Sequence, residues 1–259
     1  MTMLVDFLCR FGFGMALGLL LTPARLVPPG FFRVNLLVVM GLATFAALLA
    51  RGALPGGVWI LPAAAAVVAW MGTVLWLAHR IGAGLGACGL AGGLLAVAVG
   101  LIAMLVPAGG GAEFGGVGAP VWKVIGHLLS GAIVGLTVHA MLLGHWYLNA
   151  PGMRVDALRR MIDVALLAWL PQLICAVVAA GGRFGADSPG AVPAVHSATA
   201  ASLLALRWLA GLIGLPILLW MSRKTLDIPN TQSATGILYV ACLAAIVGEL
   251  AAQLLEASG

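Results

Sequence analysis

Charge is what this sequence has least of. Of 259 residues, 8 are Asp or Glu and 13 are Lys or Arg, a charged fraction of 8%. A soluble domain carries about 25%, so there are too few charges here to cover a water-facing surface. Cysteine is scarce as well. Cys9, Cys88, Cys175 and Cys242 fall in four different apolar stretches, with no CxxC pair and no Cys/His ligand spacing. A disulfide framework, an iron–sulfur site or another metal site therefore has no footing. Also missing are a Walker A loop, a GxGxxG turn opening a dinucleotide-binding unit, HExxH and GxSxG. The connecting loops are too short to hold a folded catalytic domain, and no motif names a reaction.

What the chain does have is oil. Hydrophobic residues make up 63% of it, and the mean hydropathy is +1.13. Apolar stretches of about 20 residues, each enough to cross a hydrocarbon core of about 30 Å, recur from end to end. In lipid the backbone must satisfy its own hydrogen bonds, so such stretches are helices. The strict apolar–polar alternation of an outer-membrane barrel is absent. The expected fold is an all-α integral membrane protein, a polytopic bundle of about eight transmembrane helices in one domain, residues 1–259. The spans are read as 3–22, 34–51, 58–79, 83–107, 123–148, 159–180, 199–221 and 231–255. Turn chemistry separates them: TPARLVPPGFFR, RGALPGG, HRIGAG, PAGGGAEFGGVGAP, NAPGMR, GGRFGADSPGAVPAVHS and SRKTLDIPN. No repeat is visible between residues 1–120 and 121–259.

The formal net charge of +5 is no sign of nucleic acid, because the basic residues sit in short loops between spans. The N-terminus MTMLVDFLCRFGFG lacks a basic start, and Arg10 interrupts its apolar region. It is expected to stay as the first span rather than act as a signal peptide. With the N-terminus outside, the inner loops hold Arg25, Arg33, Arg80, Arg154, Arg159, Arg160, Arg223 and Lys224, against Arg51, Lys123 and Arg183 outside. The positive-inside rule then puts both termini on the periplasmic face of a bacterial-type inner (plasma) membrane. Lipid and other membrane subunits are the expected partners. Gly14/Gly18, Gly82/Gly86, Gly89/Gly93 and Gly131/Gly135 are GxxxG pairs that let helix backbones approach closely. Tight internal packing is the plain reading of these pairs, and a subunit interface the alternative. Pro171 and Pro216 fall inside spans six and seven and should kink them.

Ionisable residues inside spans carry the functional information, since each costs at least about 2.5–3.5 kcal/mol at the bilayer centre. Arg207 and Glu249 lie at similar depth, roughly 10 Å from the outer surface, on consecutive antiparallel helices. They are therefore expected to pair, with Gln253 one turn from Glu249 on the same face. Asp6 and Arg10 share a helical face at i, i+4, and His127 enters span five near the same surface. A polar chamber formed by Asp6, Arg10, His127, Arg207, Glu249 and Gln253 is the sharpest expectation. Separate side chains snorkelling to one interface are the plainer one.

Span five also carries His139 and His145. His145, followed by Trp146 and Tyr147, reads as an aromatic belt at the inner surface, and His79 ends span three at the same level. His79 and His145 are candidate axial ligands of a b-type haem. His139, deeper in the span, is a candidate buried ligand or a packing residue. His196 falls in an outer loop. Asp163, four after Arg159, should neutralise it. The polar start TQSATG of the last span suggests capping by Asn230 or Thr231.

Three functions fit these residues. The first is a subunit of a redox or respiratory membrane assembly holding a quinone or b-type haem beside proton-exchanging groups. Imidazole, carboxylate and aromatic side chains are the types such a pocket uses. The second is a small-molecule or ion transporter working through the chamber. The third is a noncatalytic scaffold or assembly factor whose ionisable groups are structural.

Overall fold

The computed structural model describes residues 1–105, 119–150, 152–185, 198–228 and 230–258. Most of the expected loops between spans four and five and between spans six and seven, and His196, lie outside them. Among the described residues are eight helical spans long and apolar enough to cross a membrane, and the protein is a multi-pass membrane protein. The helices are α1 (Thr2–Leu21), α2 (Pro29–Ala53), α3 (Ile60–Leu77), α4 (Ile81–Leu105), α5 (Ala119–Asn149) and α6 (Asp156–Gly185). Span seven is composite: α7 (Ala198–Leu206), a π-helical segment (Arg207–Gly214) and α8 (Leu215–Thr225). The last span is α9 (Thr231–Ser258).

Helix ends follow local chemistry. The second helix begins at Pro29, earlier than the sequence suggests. A proline at the first helical position loses no hydrogen bond and already has the helical φ. Phe31 and Phe32 are thereby drawn out of the expected loop and into the core, both fully buried. Phe32 stacks on Trp76 of α3 with ring centroids 4.1 Å apart. Asn230 caps α9, its Oδ1 accepting from the Ser233 N–H at 3.0 Å.

The spans form two rings of four. In the first, α1 packs on α2, α2 on α3, α3 on α4, and α4 returns to α1. In the second, α5 packs on α6, α6 on α8, α8 on α9, and α9 returns to α5. Each ring is thus an up-down-up-down circuit, and the two have the same connectivity although their sequences show no repeat. They meet chiefly along α1 and α5.

Glycine makes that seam. A Cβ at Gly135 would fall inside the backbone of Gly14, and a Cβ at Gly14 inside that of Gly131. One turn along α1, a Cβ at Gly18 would lie 2.6 Å from Cγ of His139. Two of the four GxxxG pairs therefore interlock with one another, bringing main chain onto main chain. Gly211 of the π-helical segment and Gly248 of α9 make a second backbone contact inside the second ring. By contrast Gly82, Gly86 and Gly93 of α4 have open space where a Cβ would stand.

Span seven turns π-helical just before Pro216, as a helix does when it absorbs a residue that cannot donate. In a regular α-helix the missing N–H of Pro216 would have bonded the carbonyl of Leu212. That carbonyl instead accepts from the indole Nε1 of Trp169 on α6, at 3.1 Å.

Candidate functional site

The ionisable side chains of the seam between the rings gather at its terminus-side end. There α1 and α5 both start and α9 finishes, so all three bring residues to one level. Arg10 of α1 is the hub. It is 3% exposed and forms an ion pair with Asp6, one turn earlier on its own helix. Its Nη1 donates to Glu249 Oε1 of α9 at 2.7 Å and to Ser130 Oγ of α5 at 3.3 Å. Its Nη2 meets His127 Nδ1 at 2.6 Å. A guanidinium can only donate, so Nδ1 accepts and the ring proton belongs on Nε2. That nitrogen lies 3.7 Å from Glu256 Oε2.

Glu249 is held just as firmly. Its Oε1 accepts from Arg10, from Ser130 Oγ at 3.1 Å and from Gln253 Nε2 at 2.8 Å. Asp6, Arg10, His127, Ser130, Glu249 and Gln253 are all buried. Glu256 is the partly open member, its side chain 45% exposed. Two carboxylates, a guanidinium and an imidazole thus share one knot of hydrogen bonds. A third carboxylate leads from it to the surface. Buried charge persists in this way where every member is paired.

Of the six residues expected in a chamber, Asp6, Arg10, His127, Glu249 and Gln253 come together here. Arg207 lines a cavity together with Glu249. It opens the π-helical segment and acts electrostatically on Glu256. The guanidinium bonded to Glu249 belongs to Arg10. Ser130 and Glu256 join the network without having been singled out from the sequence. Ser130 lies one turn after His127, and Glu256 follows Gln253 by one turn. Helical spacing from the two recognised residues was the signal available for both.

On its far side Glu249 borders a cavity inside the second ring. Counting the space open to the outside, its empty volume is about 370 Å³. Ile133, Val134, Leu212, Leu215 and Ala245 give it apolar walls, and Ser130, Gln172, Arg207 and Glu249 give it polar points. Pro171 lies inside α6 beside it, and the adjacent Gln172 keeps a buried Oε1 that has no partner. The walls are α5, α6, the π-helical segment, α8 and α9, so the cavity sits where span seven departs from regular helix.

The other candidate histidines have separate neighbourhoods. His139 is wholly buried. Its Nε2 lies 2.7 Å from Thr22 Oγ1, and that hydroxyl donates to Gly18 O at 2.7 Å. Nε2 therefore carries the proton, and Nδ1 has no partner. The ring packs edge-on against Phe31 at 5.2 Å. His145 is exposed, with Nδ1 3.2 Å from the Tyr239 hydroxyl of α9. Its neighbours do not form a lipid-facing belt. Trp146 packs on Phe31 with centroids 5.7 Å apart, and Tyr147 is buried, its hydroxyl donating to the Arg154 carbonyl. His79 is exposed in the turn after α3, at φ 56°. Among the described residues no group of three or more His, Cys, Asp and Glu is placed to hold a metal ion. At the opposite end of the bundle Asp163 pairs with Arg223 at 2.8 Å rather than with Arg159. The end of α8 packs over α6, and Arg159 donates to the Leu226 carbonyl instead.

Fold and site together define a polytopic membrane protein with a buried ionised network at the seam of two helical rings. Comparison with models of protein families, with curated proteins and with solved structures gave no match to this chain.

Proposed function

We propose that the protein is a membrane subunit of a redox or respiratory assembly. It binds a quinone-class ligand in the cavity of the second ring and exchanges protons between that ligand and the terminus-side surface. The observation that carries this reading is the double position of Glu249. One carboxylate borders the cavity and belongs to the buried network, and the network ends at the half-open Glu256. The walls are apolar, and a carboxylate at their edge is a group able to trade protons with a ring lying against them. The positive-inside count supports a periplasmic position for that surface in a bacterial-type inner membrane. The b-type haem version draws no support from the neighbourhoods of its candidate ligands: His139 is wholly buried against Thr22 and Phe31, and His145 meets the Tyr239 hydroxyl.

The test is mass spectrometry of the lipid extract that leaves the membrane with the purified protein. Quinone is expected in near-stoichiometric amount and depleted in Glu249→Gln. An extract holding no more quinone than the surrounding membrane refutes the reading.

A second reading is favoured by the two rings of identical connectivity. Internal pairing of this kind is a common plan for transporters, with the site near interrupted helices. In that reading the cavity takes a small solute, and proteoliposomes would show flux without any redox partner.

A further inference from the structure

The cavity's polar atoms indicate which form of a quinone-class ligand it holds, an inference that rests on the reading above. Four polar side chains reach the cavity wall. Ser130 is saturated: its oxygen accepts from Arg10 and lies within hydrogen-bond distance of both Glu249 Oε1 and the His127 carbonyl. Arg207 is engaged by an interaction of its own. Glu249 receives all three of its bonds on Oε1, which leaves its second oxygen to meet whatever enters. Gln172 has its Oε1 buried and unpartnered. A buried acceptor without a donor costs about 1–3 kcal/mol, and the two groups with acceptor capacity left are Gln172 and Glu249.

We infer that the cavity selects the reduced, hydroxyl-bearing hydroquinone, with Gln172 Oε1 and the second oxygen of Glu249 accepting from its hydroxyl groups. The oxidised form presents carbonyl oxygens, which can accept from Gln172 Nε2 or Arg207 but supply no proton to Gln172 Oε1 or to the second oxygen of Glu249. The cavity opens to the outside, and its empty volume of about 370 Å³ includes that open space.

The experiment measures binding of a short-chain benzoquinol and of its oxidised form to the full-length protein in nanodiscs. Tryptophan quenching reports occupancy, and excess dithionite keeps the first ligand reduced. The reduced form should bind at least tenfold tighter. Gln172→Leu should remove most of that difference by weakening the reduced form and leaving the oxidised form unchanged. Gln172 is only half-buried and its amide oxygen has no partner to lose, so the variant should fold; an unaltered melting temperature checks this. Equal affinity for both forms, or no effect of Gln172→Leu on the ratio, overturns the inference and leaves the quinone site standing. Tighter binding of the oxidised form also overturns it and makes Arg207, a donor, the group that reads the ligand. Binding of neither form overturns the site itself.

Discussion

Replacing Arg10 by Met keeps the length of the side chain and removes the charge that three elements share. The loss is large because of what stays behind. Asp6 and Glu249 are each 7% exposed, and both bond the guanidinium. Without it, two like charges sit in a desolvated pocket whose remaining donors are Ser130 and Gln253, with His127 alongside. Removing one partner of a buried ion pair costs about 3–5 kcal/mol, and here two carboxylates lose the same partner. For a chain of this size about 2–4 °C of melting temperature corresponds to each kcal/mol, so Arg10→Met should melt about 6–20 °C below the parent protein. Thermal unfolding in a mild detergent, followed by tryptophan fluorescence, reads this. Unfolding rates at one temperature serve as the companion measurement, because such transitions are often irreversible. The discriminating control is the triple variant Asp6→Leu, Arg10→Met, Glu249→Met. Replacing a whole buried ion set by apolar groups is often neutral, so the triple variant should regain more than half of what the single one loses. If Arg10→Met melts within 2 °C or so of the parent, the carboxylates are not relying on Arg10, and the account of the seam fails.

Three further outcomes follow. Gly135→Ala puts a methyl into the Gly14 backbone and should cost about 1–3 kcal/mol as overpacking, or prevent accumulation. Gly86→Ala, which meets nothing, should melt unchanged or slightly higher; equal behaviour of the two would mean α1 and α5 are not in backbone contact. Trp169→Phe leaves the Leu212 carbonyl without its donor and should cost about 1–3 kcal/mol. Adding Pro216→Ala should recover part of that by returning a backbone N–H, and a strictly additive double variant would show that the indole bond has no link to the proline. Finally, His79→Ala and His145→Ala should leave the spectrum and the bound lipids of the purified protein unchanged, whereas Glu249→Gln should alter the latter; a ligand lost from either histidine variant would move the site to the other end of the bundle.

The shared level of Asp6, Arg10, His127 and Glu249 was readable from sequence for a simple reason. Once spans are counted, parity and depth along each helix give the leaflet. Which cation meets Glu249 was not readable. Adjacency in sequence nominated Arg207, the cation on the preceding span, whereas the bonded guanidinium arrives from a helix 239 positions away. Choosing between them needs the order of helices around the rings, and that order is set by how faces interlock. Gly14/Gly18 and Gly131/Gly135 were each visible as close-packing faces, but nothing local says that one fits the other. Span seven tells the same story. Pro216 announced a disturbance, while the π-helical turn and its remedy depended on Trp169, a residue of another helix. The end of α2 hidden in PPGFFR was missed for a local reason: two prolines were read as a stop when the second was a start.

The distance along the chain between Arg10 and Glu249 also bears on how the protein is made. Translation at about 5–20 residues per second separates their appearance by roughly 12–48 s, and for that interval the first helix must rest in lipid without its distant carboxylate. Asp6, one turn away on the same helix, travels with Arg10 from the moment of insertion and serves as its escort until the last span arrives. Its earliest role is therefore in biogenesis: a nascent chain deprived of Asp6 would be expected to stall at the translocon or be degraded before there is any finished protein to destabilise.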